Sequence, residues 1–208
     1  MQSGDRVSHF QAGVFMDKRK IVIIGSSGAG LPILKTIFEN MPRLQGPIVL
    51  IQHMPIYVNQ TVCDNLAAKT EMTVKIAELD ERLQSGVLYV APSEIHLKLV
   101  QNHQIRLAGR EKVNFVCPSI DVAMMSVVKE PSILPMGILL SGIGDDGIKG
   151  IGHIKRIGGI TIALEKNPDI ITNMADEAFA AGYVDWVLNP DEIRNKLMAH
   201  LGWEIKNR

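Results

Sequence analysis

Lys20-Ile21-Val22-Ile23-Ile24-Gly25-Ser26-Ser27-Gly28-Ala29-Gly30-Leu31 is the stretch that decides the fold. Its first half is a short β-branched run bounded by basic residues and a glycine, the signature of a strand buried on both faces. Its second half is a glycine-rich turn, after which Leu31, Ile33, Leu34, Ile37 and Phe38 recur at helical spacing. Pro32 suits a first helical turn, and Pro42 ends the pattern. Strand, tight turn and helix in that order form the opening unit of a parallel α/β sheet.

The alternation continues downstream. Ile48–Ile51 reads as a strand, Val58–Lys69 as a helix and Val74–Ile76 as a strand. Between Val87 and Leu107 the pattern changes to short extended pieces. Asn102-His103 there is a turn candidate joining Leu97-Lys98-Leu99 to Gln104–Leu107, and the segment is read as a β-hairpin insertion. The helical period resumes over Ser119–Lys129. Strand Met136–Leu140, helix Gly147–Arg156, strand Ile160–Leu164, helix Met174–Ala181, strand Val184–Val187 and helix Asp191–His200 follow, with Ser119 and Asp191 as candidate caps. The expected architecture is a three-layer α/β/α domain around a mostly parallel, doubly wound sheet. It occupies residues 19–203, between an irregular N-terminal tail (1–18) of a kind compatible with disorder and a short C-terminal tail (204–208).

Composition narrows the function. With 22 basic and 22 acidic side chains, no net charge draws the chain to nucleic acid or an anionic membrane. Cys63 and Cys117 form no CxxC pair, which argues against a disulfide framework or a thiolate zinc site and suits a cytoplasmic setting. No apolar run reaches the roughly 18 residues of a membrane span, so membrane insertion is not expected. His96, His103 and His153 lack metal-ligand spacing. Cys63 falls in a helical pattern and reads as a buried structural thiol. Met124, Met125 and Met174 read as core or pocket wall, and Asp176-Glu177 as complementing a helix dipole.

Three loops carry candidate chemistry, each at the carboxyl end of an expected strand, where ligands of parallel α/β sheets collect. Gly25–Gly30 lacks the Lys-Ser/Thr of a phosphate-binding P-loop and runs GxxGxG where a dinucleotide fingerprint runs GxGxxG. It also fits a nucleophile turn: Gly25 and Ser27 match GxSxG, with Ala29 in place of the last glycine. Gln52-His53-Met54-Pro55 places an imidazole, suited to accept a serine proton near neutral pH, at the next strand end. Ser141-Gly142-Ile143-Gly144-Asp145-Asp146-Gly147 offers two carboxylates, either of which could instead cap a helix or bind a cation. Serine, histidine and aspartate at three strand ends make the parts list of an acyl-transfer triad.

Taken together, these three loops resemble, in order and approximate spacing, the motifs of the CheB-type protein-glutamate methylesterase catalytic domain. Tyr89-Val90-Ala91-Pro92 with His96, and Pro118-Ser119-Ile120-Asp121-Val122, resemble further family segments, so the likeness spans roughly residues 20 to 200. The resemblance implies Ser27 as nucleophile, His53 as general base and then acid, and Asp146 as the carboxylate orienting His53, with Asp145 at a variable position. It implies backbone oxyanion support near Gly28 and Ile143, Met54 and Met174 in the pocket, and no metal or organic cofactor. The implied reaction is hydrolysis of methyl esters on glutamate side chains of methyl-accepting chemoreceptors, with glutamine deamidation open to the same site. Gly28 stands where the family usually has threonine, Ile143 where it has methionine, and Ala175 where it has proline. The residues before the first strand are too few for a phosphoacceptor receiver domain, so phosphorylation-dependent control within this chain is not expected. Two rivals remain open at this point: a same-fold esterase or amidase for another substrate, and an inactive or nucleotide-binding regulatory module.

Overall fold

The computed structural model describes residues 19–166 and 173–203; the tails at 1–18 and 204–208 lie outside the described residues. Seven strands form one all-parallel sheet: β1 (Arg19–Ser26), β2 (Ile48–Gln52), β3 (Thr73–Ile76), β4 (Val87–Val90), β7 (Ile133–Leu139), β8 (Ile160–Leu164) and β9 (Trp186–Leu188). Their spatial order is β3-β4-β2-β1-β7-β8-β9. The chain passes from β1 to β2 on one side and later returns to β7 on the other. That reversal leaves a crevice over the carboxyl ends of β1 and its neighbours.

Side chains of β1 alternate between two cores, as the period of two demands. Val22 and Ile24 face helices α1 (Leu31–Phe38), α2 (Asn59–Ala67) and α6 (Pro190–Leu201) through Leu34, Phe38, Leu66 and Leu197. Ile21 and Ile23 face α3 (Ile120–Met125), α4 (Ile148–Arg156) and α5 (Asn173–Ala180), with the β5 (Leu97–Val100) and β6 (Gln104–Leu107) hairpin on the same side. Each fully buried isoleucine of this strand contributes about 1.5–3 kcal/mol by area removed from water. The three layers and the hairpin match the sequence reading.

Several boundaries differ from it, each for a physical reason. Val87–Val90 is not part of the insertion: it is a central strand, paired in parallel with both β2 and β3. Helix α3 stops at Met125, well short of Lys129, because the Ser126 hydroxyl bonds back to the Ala123 carbonyl and also accepts the Leu99 amide of β5. Strand β7 begins at Ile133, and its Pro135 pairs only toward β1, since pairing with β8 starts at Met136. A proline is tolerated there because no second neighbour needs its missing N–H. Strand β9 starts at Trp186 because the Asp185 carboxylate is occupied with Thr161 and Lys155. The cap of α6 is Asn189 in a reciprocal capping box with Glu192, not Asp191, which lies inside the first turn. Ser119 does cap α3, accepting the Val122 amide.

Helix α6 carries one group that links stability to pH. His200 is buried among core residues. Burial, with Lys20 nearby, pushes its imidazole down to about 4, against a hydrogen bond with the Leu134 backbone. The unfolded chain takes up this proton near an ordinary pKa of about 6.5. The stabilising contribution is therefore fully present above that value and is lost as pH falls from about 6.5 towards about 4, up to about 3 kcal/mol. Comparing urea unfolding of wild type and His200→Gln at about pH 7 and about pH 5 should show a shallower loss of stability in the variant.

Candidate active site

Strand β1 delivers the first loop. Ser26, its last residue, pairs with Gln52 at the end of β2, and its carbonyl accepts the His53 amide at 2.9 Å. On the other side the Ser27 amide donates to the Ser141 carbonyl at 3.0 Å. These bonds fasten the serine, histidine and aspartate loops to one another at the ends of three adjacent strands.

The two consecutive serines have opposite fates. Ser26 is fully buried and its Oγ lies where Gly30 leaves room: a Cβ on Gly30 would meet it at 1.9 Å and Ser141 Oγ at 2.8 Å. Ser27 turns outward, half-buried, with ordinary extended backbone (φ −109°, ψ −179°), not the strained conformation of a nucleophile elbow. A three-residue 3₁₀ turn at Gly28–Gly30 leads into α1. The side chains of Ser26 and Ser141 thus fill the loop's interior, where a phosphate cradle would need open space.

Asp145 and Asp146 also separate. Asp145 is exposed. Asp146 is 3% exposed and its Oδ2 lies 2.9 Å from His53 Nε2. That same oxygen accepts the Ile120 amide at 2.6 Å, while Oδ1 accepts the Ser119 hydroxyl at 2.6 Å and the Asp121 amide at 3.2 Å. Burial works against its charge, but the bonds from His53, Ser119 and Ile120 outweigh it and hold the carboxyl below its ordinary value. Because the ionised carboxylate accepts only, His53 carries its proton on Nε2, and Nδ1 is the nitrogen left with a free lone pair.

Beneath this bond lies a second carboxylate that sequence reading left unused. Asp121 Oδ1 accepts the Gly147 and Gly150 amides, and Oδ2 accepts Asn114 Nδ2 at 3.0 Å. Burial raises its pKa, opposed by the Gly150 amide and reinforced by the neighbouring charge of Asp146. The segment Pro118–Val122 was visible only as a family likeness, and nothing local to it signals that residues 114–121 fold under residue 146.

Met54 lines a cavity of about 280 Å³ beside His53. Met174 is fully buried under Gly142, so close that a Cβ there would meet its Cε at 2.5 Å and Ser27 Cβ at 3.1 Å. Ile143 is 70% exposed. His96 holds the Glu111 carbonyl and the Ser119 amide, and His153 the Val127 carbonyl. Cys63 is buried in α2. Among the described residues no group of three or more His, Cys, Asp or Glu is placed to hold a metal ion, and no helix is long and apolar enough to cross a membrane.

Gly28 is exposed, and a Cβ added there would meet nothing within 4 Å. Gly28→Thr is therefore expected to fold with an unchanged or slightly raised melting temperature, since it removes unfolded-state freedom without a clash. Calorimetry checks this, and a clear drop would show that the turn requires glycine.

This geometry defines a doubly wound α/β domain in which the loops carrying Ser27, His53 and Asp146 meet at three adjacent strand ends, with His53 and Asp146 hydrogen-bonded and no hydrogen bond between the Ser27 hydroxyl and His53 among the described residues. More particularly, the chain belongs to the CheB methylesterase family, whose model matches residues 22–197. It is 35% identical over 183 residues to a Thermotoga maritima protein named protein-glutamate methylesterase/protein-glutamine glutaminase, covering 86% of this chain and 53% of that one. A protein of the same name from Archaeoglobus fulgidus is 34% identical over 191 residues (90% of this chain, 55% of that one). The fold matches the crystal structure of the Thermotoga maritima CheB methylesterase catalytic domain with a TM-score of 0.80 and 34% identity, over 88% of this chain and 98% of that one. The chain spans about half the length of the curated relatives it matches.

Proposed function

We propose that the protein is a serine esterase that removes methyl groups from esterified glutamate side chains of methyl-accepting chemoreceptors in the cytoplasm. The observation that carries this reading is the His53–Asp146 bond, set in a buried nest of donors beside the outward-facing Ser27. The names of the relatives support methyl-ester removal from protein glutamate and add glutamine deamidation as a companion reaction.

In the proposed mechanism Ser27 Oγ attacks the ester carbonyl carbon while His53 Nδ1 takes its proton. Asp146 fixes the tautomer and steadies the imidazolium that forms. The Ser27 amide is already engaged by Ser141, so the developing oxyanion falls to the amides of Gly28 and of the third loop near Ile143. The carbon–oxygen bond to the methoxy group breaks, the leaving oxygen takes the proton from His53, and methanol departs. Water then attacks the acyl carbon, gives a proton to His53, and releases the glutamate side chain and free Ser27. No step calls on a metal or an organic cofactor.

The test is methanol release from a receptor fragment carrying labelled methyl esters. Release is expected to be proportional to enzyme and unchanged by EDTA. Hydrolysis of simple esters without release from the receptor fragment would move the protein to another substrate. Loss on chelation, restored by a metal, would replace the mechanism.

A further inference from the structure

One apolar side chain at the rim of the cleft is held where folding alone gives it no reward. Val113 and Val116 exchange both backbone hydrogen bonds at 3.0 Å, closing a two-residue turn. Both central residues are left-handed, Asn114 at φ 49° and Phe115 at φ 66°. Asparagine suits the first of these positions and glycine ordinarily fills the second. A phenylalanine there pays a backbone cost, and at 93% exposure its ring recovers nothing by packing. The turn is nonetheless pinned: Asn114 Nδ2 reaches Asp121 Oδ2 at 3.0 Å and Asp146 Oδ1 at 3.5 Å.

The surroundings give the ring a purpose. Phe115, Val116 and Cys117 form one wall of the cavity of about 280 Å³ whose other wall is His53, Met54, Pro55 and Ile56. Tyr57, 80% exposed, continues the apolar rim past Ile56. A cluster of exposed apolar side chains at a cleft marks an interaction surface, and aromatic side chains are its usual anchors. Lys112 and Glu94 stand at the same cavity, and neither has an ionic partner among the described residues. An amphipathic helix, apolar along one face and charged at its edges, fits such a surface. A glutamate ester presented to His53 on such a helix has its i±3 and i±4 neighbours about 5–6 Å away along the same face. Phe115 lines the same cavity as His53, so it is the side chain placed to meet those neighbours.

We propose that the turn Val113-Asn114-Phe115-Val116 is the anchor that grips the receptor helix beside the methylated glutamate, with Phe115 as a specificity-determining contact. The inference rests on the receptor-methylesterase reading above.

Phe115→Gly and Phe115→Ala test it, with Phe115→Tyr as the conservative variant. Each is assayed on the methylated receptor fragment and on p-nitrophenyl acetate, and each is melted. The ratio of kcat/KM for receptor over small ester is expected to fall about tenfold or more in the Gly and Ala variants, mainly through KM, and to be largely restored in Tyr. The Gly variant should melt no lower than wild type, because glycine accepts the left-handed backbone. An unchanged ratio in both variants overturns the anchor, and so does an equal loss on both substrates. If wild-type enzyme cleaves the small ester but releases no methanol from the receptor, the receptor reading itself fails and carries the anchor with it.

Discussion

Ser27→Ala is expected to lower methanol release from methylated receptor by at least about a thousandfold, because it removes the hydroxyl that forms the acyl intermediate. The fold should be indifferent to the change. Among the described residues the Ser27 hydroxyl has no hydrogen-bond partner, and the residue is half-buried in relaxed extended backbone. Its melting temperature should therefore stay close to that of wild type. Ser26→Ala is the instructive companion. Ser26 is fully enclosed against Gly30 and cannot reach a substrate, so its loss should act on stability through a small void and leave the chemical route open. Methanol release and calorimetry on both variants separate the roles. Full activity in a folded Ser27→Ala protein would end the serine mechanism, and abolition by Ser26→Ala alone would move the nucleophile by one residue.

What the sequence reveals here follows the range of the interactions involved. Strands β1 and β2, the Gly25–Gly30 turn and the helix after it are legible because hydrophobic period and turn chemistry act over a few residues. The adjacency of Ser27 and His53 follows from the common pairing of consecutive parallel strands and is met by the Ser26–Gln52 register. The placement of β4 between β2 and β3 is not legible, since crossover order in a parallel sheet depends on how whole layers pack. The nest around Asp146 is hidden for the same reason. Ser119 signals a helix cap, which it is, but its second bond to Asp146 exists only because α3 packs against the loop that opens α4. Asn114 is hidden more deeply still, because its role depends on a turn whose second residue is the least expected one. The family likeness marks Ser119 and Asp121 as part of the pattern without saying what they hold.

The sharpest expected contrast lies between the neighbouring aspartates. Asp146→Asn keeps the shape of the side chain but puts an amide among groups that all donate: His53 Nε2, the Ile120 amide, the Ser119 hydroxyl and the Asp121 amide. One oxygen is left to serve them, so the variant should lose about 1–3 kcal/mol of stability and needs assay conditions in which it remains folded. If the new NH₂ faces His53, the imidazole must offer it a lone pair and carry its proton on Nδ1, pointing N–H at the serine it should deprotonate. In the trypsin-type triad the same substitution lowers turnover by roughly 10⁴ through the wrong tautomer. A loss on the order of a hundredfold or more is expected here. Asp145 is exposed, and its contribution to the start of α4 runs through its backbone carbonyl, which accepts the Ile148 amide at 3.2 Å and survives substitution. Asp145→Asn should cost about tenfold or less. The sign of the Asp146 shift extends the test to pH. A carboxyl held below its ordinary value adds stability that is present above the unfolded pKa of about 3.8–3.9 and is lost only as pH falls through the lower folded value. Across the neutral range the wild-type carboxylate stays ionised, so its own titration adds nothing to the gap between the two variants from about pH 6 to about pH 8. Greater damage from Asp145→Asn would reverse the residue assignment, and indifference to both would remove the carboxylate from the mechanism.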